Sequence, residues 1–330
     1  MAVDPVPYVV HGAKHSADVF RQALNDSTGG SEGISQPGDL HVKQTGTPSN
    51  QVQVAPGGVL IPNSYSGGAG QSYSGRNAST TLVDVPASDS TGSKSYYIIF
   101  RVQDPQFGGQ APADPLVGPY AFIECVPQSA TISDPHYRLA AVVVPASTAT
   151  ITNSMITSLR ELAQPKEKSV IVSRPVVTGD TGVALTSTSA YPDGEWFPNI
   201  GGNDDTGRYS IPVPSWATRM QIRCEWLGVS VMGNPGAGFY WVSFGPGGST
   251  NSPTWYTQGF GWNSTSGNYL TNWIMEQEVN VRPEWRGTVQ NFYPRANFTT
   301  KNSGGQVHLS ARAGMVFSVR FLQTPDLDVA

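Results

Sequence analysis

The sequence predicts a mainly β protein, with two β-rich domains joined by a short helix and the C-terminal domain an antiparallel, jelly-roll-like β-sandwich. Three observations carry this. The 330 residues include 36 glycines and 26 prolines but only 13% charged side chains, a balance that suits short strands and many turns better than long solvated helices. Apolar and polar residues alternate through Met220, Ile222, Cys224 and Trp226, and again through Met315, Phe317, Val319 and Phe321, which is the period of a strand buried on one face. Every tryptophan falls after residue 168, so the composition changes along the chain. The expected boundaries are a β-rich domain over 1–149, a connector helix and linker over 150–168, and a Trp-rich sandwich over 169–330.

Taken in order, Ala17, Phe20 and Leu24 recur at helical spacing ahead of Gly29-Gly30 and predict a short helix within 11–25. His11 and His15 stand four apart, a spacing that could share a metal, but no third ligand lies near and they read as residues of a polar terminus. DLHVKQT from Asp39 and QVQV from Gln51 alternate as paired strands, and Pro56-Gly57-Gly58 then forces a turn. IIFRVQDP at 98–105 is a nearly continuous apolar run, as in a strand covered on both faces, and LAAVVVP at 139–145 is another buried strand. Between them, DPQFGGQAPADP holds too much Pro and Gly to pair along its length, and is expected to meet a neighbouring subunit or cover a sheet edge. In TITNSMITSLRELAQPKEK, Met155, Ile156, Leu159 and Leu162 recur at helical spacing, with Thr152 or Asn153 as N-cap and Pro165 as stop; this is the predicted connector helix. Beyond it, SVIVSRPVV and the segments 211–232, 238–245 and 308–323 read as strands, with Arg219, Gln221, Arg223 and Glu225 on the face opposite the apolar set.

The chemistry is bounded mostly by exclusion. A net charge of -4 and a pI near 5.7, with no polybasic run, argue against nucleic acid. No stretch approaches ~20 apolar residues and no basic segment precedes an apolar one at the N-terminus, so neither membrane insertion nor a signal peptide is expected and synthesis is placed in the cytoplasm. Cys125 and Cys224 fall one in each domain and read as small apolar residues, not a disulfide framework. Gly70-Gln71-Ser72-Tyr73-Ser74 misses the final glycine of a nucleophile elbow, the glycine clusters at 67–70 and 245–248 lack the Lys-Ser/Thr of a phosphate cradle, and Asn203, Asp204 and Asp205 offer too few oxygens for calcium. No catalytic residue, metal or cofactor is assigned. TWYTQGFGWNSTSGNYLTNW at 254–273 interleaves rings and amides as sugar sites do, and nominates Trp255, Tyr256, Trp262, Asn263, Asn268, Tyr269, Asn272 and Trp273 as a glycan site. The same rings could instead fill the sandwich core or a subunit interface. Glu276, Glu278 and Glu284 are the carboxylates that an enzyme acting on the cell envelope would need.

Five phrases in order complete the picture: VAPGGVLIPNSYSGGAGQSYSGRN at 54–77, the strand SYYIIFRV from 95, the loop DPQFGGQ, Gly118-Pro119-Tyr120-Ala121-Phe122, and ITNSMITSLRELAQP at 151–165. Together they resemble a minor tail protein of an actinobacteriophage siphovirus of mycobacteriophage type, strongly over the first half and more loosely through PVPSWATRMQIRCEW at 212–226. The resemblance implies a virion component of the tail tip or baseplate, made in the host bacterial cytoplasm and not a catalyst. It implies other tail-tip proteins as partners, a homo-oligomer that is a trimer on the threefold symmetry of such tail hubs, and a C-terminal domain turned towards host cell-envelope glycan. The alternative is a carbohydrate-binding module of a glycan-acting protein.

Overall fold

The structure, a computed structural model, describes residues 10–175, 183–188, 194–198, 209–244, 258–263 and 269–325. It is mainly β, with several antiparallel sheets. Two compact units make up the chain: one ends at Pro165 and takes in Thr324, and the other runs Lys166–Gln323.

The first unit opens with α1 (Ala17–Thr28). Ser16 Oγ accepts from the Val19 amide at its start, and Gly29, left-handed at φ 62°, closes its end. The helix forms where the spacing predicts it but buries a different face: Val19 is buried while Phe20 is 49% exposed. The described strands that follow are β1 (Gly33–Ile34), β2 (Val42–Gln44), β3 (Gln51–Val54), β4 (Gly57–Pro62), β5 (Ser72–Asn77), β6 (Thr81–Asp84), β7 (Lys94–Val102), β8 (Ala121–Pro127), β9 (His136–Val144) and β10 (Ile156–Ser158). They form three antiparallel sheets, ordered β1-β4-β5, β2-β3-β6 and β10-β9-β7-β8. The expected pairing of 42–44 with 51–54 is present. Interior strand β7 carries Ile98, Ile99 and Phe100, all buried, as its continuous apolar run requires. Ile34, Val52, Val59, Leu139 and Val142 complete the shared core.

The connector helix expected over 150–168 does not form. Asn153–Met155 makes one 3₁₀ turn, Ile156–Ser158 is β10 paired with β9, and Leu162 bridges to Ile34. Tertiary pairing overrides the helical spacing because the edge of β9 needs a partner, and β-branched Ile151, Thr152, Ile156 and Thr157 favour the extended chain. Arg160 locks this path, donating to the carbonyls of Pro37 (3.2 Å) and Asp39 (2.9 Å) from a buried position. Leu159, assigned to the helix's apolar stripe, is 37% exposed.

In the second unit the described strands are β11 (Glu167–Pro175), β12 (Val183–Ala184), β13 (Glu195–Trp196), β14 (Tyr209–Pro212), β15 (Arg219–Met232), β16 (Gly236–Phe244), β17 (Gln258–Trp262), β18 (Tyr269–Asn280), β19 (Val289–Lys301) and β20 (Gln306–Leu322). One sheet is ordered β11-β20-β15-β18 and the other β13-β19-β16-β17, with β12 pairing β20 and β14 pairing β19. Setting aside β12 and counting β13 and β14 as one broken strand, the first, last, third and sixth strands share one sheet, and the second, seventh, fourth and fifth share the other. That order is a jelly roll. The two alternating stretches pair directly, Met220 with Phe321, Ile222 with Val319, Cys224 with Phe317 and Trp226 with Met315, and all eight are at most 2% exposed. Each such side chain contributes about 1.5–3 kcal/mol on burial.

Candidate functional site

The aromatic stretch nominated for glycan divides between core and surface. Trp273 lies on the inward phase of β18 with Met275 and is 3% exposed. Its ring stacks on Tyr240 at 4.8 Å and on Phe260 at 4.5 Å and meets Trp226 edge-on at 6.4 Å. Trp262 is 6% exposed and packs so closely on Gly236 that a Cβ there would lie 2.4 Å from the indole. Neither indole has a face open to a pyranose, so the glycan role expected of Trp262 and Trp273 is corrected to core packing. Burial also pushes the Tyr240 hydroxyl above the usual phenol range.

Asn263, Tyr269 and Asn272 reach the surface. Tyr269 and Asn272, three apart, project from opposite faces of β18. Asn272 Oδ1 accepts from the Gly228 amide at 2.9 Å and holds the irregularity in β15 between Trp226 and Val229. Tyr269 is 40% exposed. Trp255, Tyr256 and Asn268 lie outside the described residues. The carboxylates weighed for hydrolysis sit in surface ion pairs: Glu276 with Arg223 (3.1 Å), Glu278 with Arg219 (2.6 Å) and Glu284 with Arg282 (3.8 Å). Exposed pairs of this kind contribute about 0–1 kcal/mol each.

Two polar arrays escaped the sequence reading. In the second unit, Arg295 is 9% exposed, donates to Ser243 Oγ (2.8 Å) and the Gly194 carbonyl (2.7 Å), and lies over the rings of Trp196 and Tyr293. In the first unit, Arg21 on α1 donates to Gln71 (2.6 Å), Asp18 (2.7 Å), Gln106 (2.7 Å) and Asp104 (3.2 Å). Asp104 also accepts from the Tyr73 hydroxyl at 2.9 Å and caps the 3₁₀ turn Pro105–Phe107. Burial, then the bond to Asp134 at 2.7 Å, pushes the Tyr65 hydroxyl up to about 12. The hydrogen bond from Gln106, with those from Gln71 and Arg21, holds the Asp18 carboxyl below its ordinary value against the opposing effect of burial. These partners lie 31 to 85 residues apart in the cases of Tyr73 with Asp104 and Arg21 with Gln106, so no local motif announces them. The array fixes α1 and the 105–120 loop around a cleft of about 470 Å³ walled by Ala17, Tyr73, Pro105, Pro112, Pro115 and Tyr120. A second cleft, of about 370 Å³, is lined by Glu32, His136, Arg138 and Glu161, charges of both signs.

No protein-family model and no curated protein matches the sequence. Among solved structures, the chain is similar to the T13 viral particle of infectious bursal disease virus, at 11% identity over 94% of this chain and 84% of that one, with a TM-score of 0.23. It is similar to PNGase F, a glycosylasparaginase from Flavobacterium meningosepticum, at 10% identity over 90% of each chain, with a TM-score of 0.26. A carbohydrate-binding module of the β-sandwich superfamily follows at 12% identity over 89% of this chain and 96% of that one, with a TM-score of 0.16. Superpositions this loose carry no argument, and the jelly roll described above stands on the strand order alone.

Proposed function

We propose that the protein is a structural component of a virion, a minor tail protein of the tail tip, assembled as a homo-oligomer that is a trimer on the threefold symmetry of such a tail hub. Its second unit contributes to host attachment, and it is not a catalyst. One observation carries this: the family phrases are the joints of a single folded unit. Gln71 and Tyr73 of the GQSY phrase bond to Asp18 and Asp104, Asp104 opens the DPQF phrase and caps its turn, Gly118–Phe122 leads into β8, and 151–165 pairs with β9 and β1. A jelly roll is a fold used by capsid and lectin domains alike, which is support by analogy for an outward-facing binding unit.

The test is immunogold labelling and mass spectrometry of purified phage particles with an antibody to this chain. Label at the tail tip is expected, and intact particles free of the protein would overturn the proposal. A carbohydrate-binding module remains a second reading because Tyr269 and Asn263 are exposed near the ends of β18 and β17. Saturable glycan binding by a protein absent from virions would favour it.

A further inference from the structure

We propose that the 105–120 loop is a contact between copies of this chain, in which the Leu116–Val117 tip of one copy seats in the cleft beside α1 of the next. This rests on the homo-oligomer of the proposed function and names its interface. Leu116 is 96% exposed and Val117 81%, so neither enters the cleft of its own chain. The tip is nevertheless a built turn. Asp114 Oδ1 accepts from the Leu116 amide at 2.9 Å, and the Asp114 carbonyl accepts from the amides of Val117 (3.2 Å) and Gly118 (2.8 Å). A turn already ordered loses little conformational entropy on docking.

The cleft suits an aliphatic occupant. Its polar residues are engaged with one another: Arg21 by four side chains, and the Tyr120 hydroxyl by the Pro115 carbonyl at 2.7 Å. What the opening offers is the apolar surface of Ala17, Pro105, Pro112 and the Tyr120 ring.

A second copy is the occupant because tip and cleft are built from the same loop. Pro115 and Tyr120 wall the cleft and bracket the tip, so a closed ring brings both halves of the contact to every junction. The two tip side chains amount to roughly 200 Å² of apolar surface, against roughly 800 Å² per partner in a stable pair. A single junction is therefore weak, and closure of the ring, where each chain uses both its tip and its cleft, holds the assembly.

The full chain tests this by sedimentation velocity, beside a tip variant carrying Leu116→Asp and Val117→Asp and a cleft-filling variant, Ala111→Trp, at an exposed residue that lines the cleft. Each variant is expected to keep the wild-type circular dichroism and to raise the dissociation constant about a hundredfold. Mixed in equal amounts, the two variants share one intact junction, since one keeps its cleft and the other its tip, but cannot close a ring, so the mixture is expected to associate as weakly as either variant alone. Variants that assemble as tightly as wild type, alone or mixed, would overturn the contact while leaving the homo-oligomer standing. A wild-type chain that is monomeric throughout would remove both.

Discussion

Trp273 is held between the rings of Tyr240 and Phe260 and touches Trp226 edge-on, so its removal leaves a cavity that three aromatic neighbours cannot fill by small shifts. Trp273→Ala is expected to cost about 3–5 kcal/mol, read from the midpoint of chemical denaturation. Tyr269→Ala, on the same strand but 40% exposed, is expected to stay within about 0.5 kcal/mol. Equal losses at the two sites would contradict the division of the aromatic stretch into core and surface. The α1 array makes a prediction in pH. Asp18 is held below its ordinary value when folded, so its contribution is present above the unfolded value of about 4 and is lost as pH falls through the depressed folded one. Acid titration of wild type should show this limb, and Asp18→Asn should flatten it. Tyr65 has the opposite sign. Raised to about 12 when folded, it contributes fully below the unfolded value of about 10 and loses that contribution between about 10 and 12, a limb that Tyr65→Phe should remove.

At the scale of elements, the segment that replaces the expected helix depends on one glycine. Gly33 adopts φ +132°, and a Cβ there would lie 2.4 Å from the Glu161 carbonyl oxygen. The neighbouring Ile34 exchanges backbone bonds with this segment, donating to Glu161 (2.8 Å) and accepting from Ala163 (3.0 Å). Gly33→Ala is therefore expected to destabilise the first unit by about 3 kcal/mol, with the amides of Ile34 and Ala163 losing hydrogen-exchange protection first. Retained protection at Ala163 would show that the segment is held by other contacts. The helical spacing of Met155, Ile156, Leu159 and Leu162 misled because spacing reports which residues are apolar, not which backbone edge lies beside them. In α1 the same kind of evidence succeeded, since Ser16 and Gly29 supply caps that act within the segment itself.

At the scale of the whole molecule, each unit closes its own hydrophobic core, one centred on β7 and the other between the two sheets of the jelly roll. Residues 166–325 alone are thus expected to give a β-type circular dichroism spectrum and one cooperative thermal transition. A fragment without cooperative unfolding would show that the second unit needs the first. The mainly β class, the interior strand β7 and the alternation within 220–226 and within 315–321 were determined by the sequence itself, because burial on one or both faces of a strand writes a period into adjacent residues. The path of 150–165, the inward turn of Trp262 and Trp273, and the bonds of Arg21 to residues 50 and 83 positions away were decided only by the tertiary structure. Those depend on which strand edges and which faces come together in space, and the energy of such contacts leaves no local period in the chain.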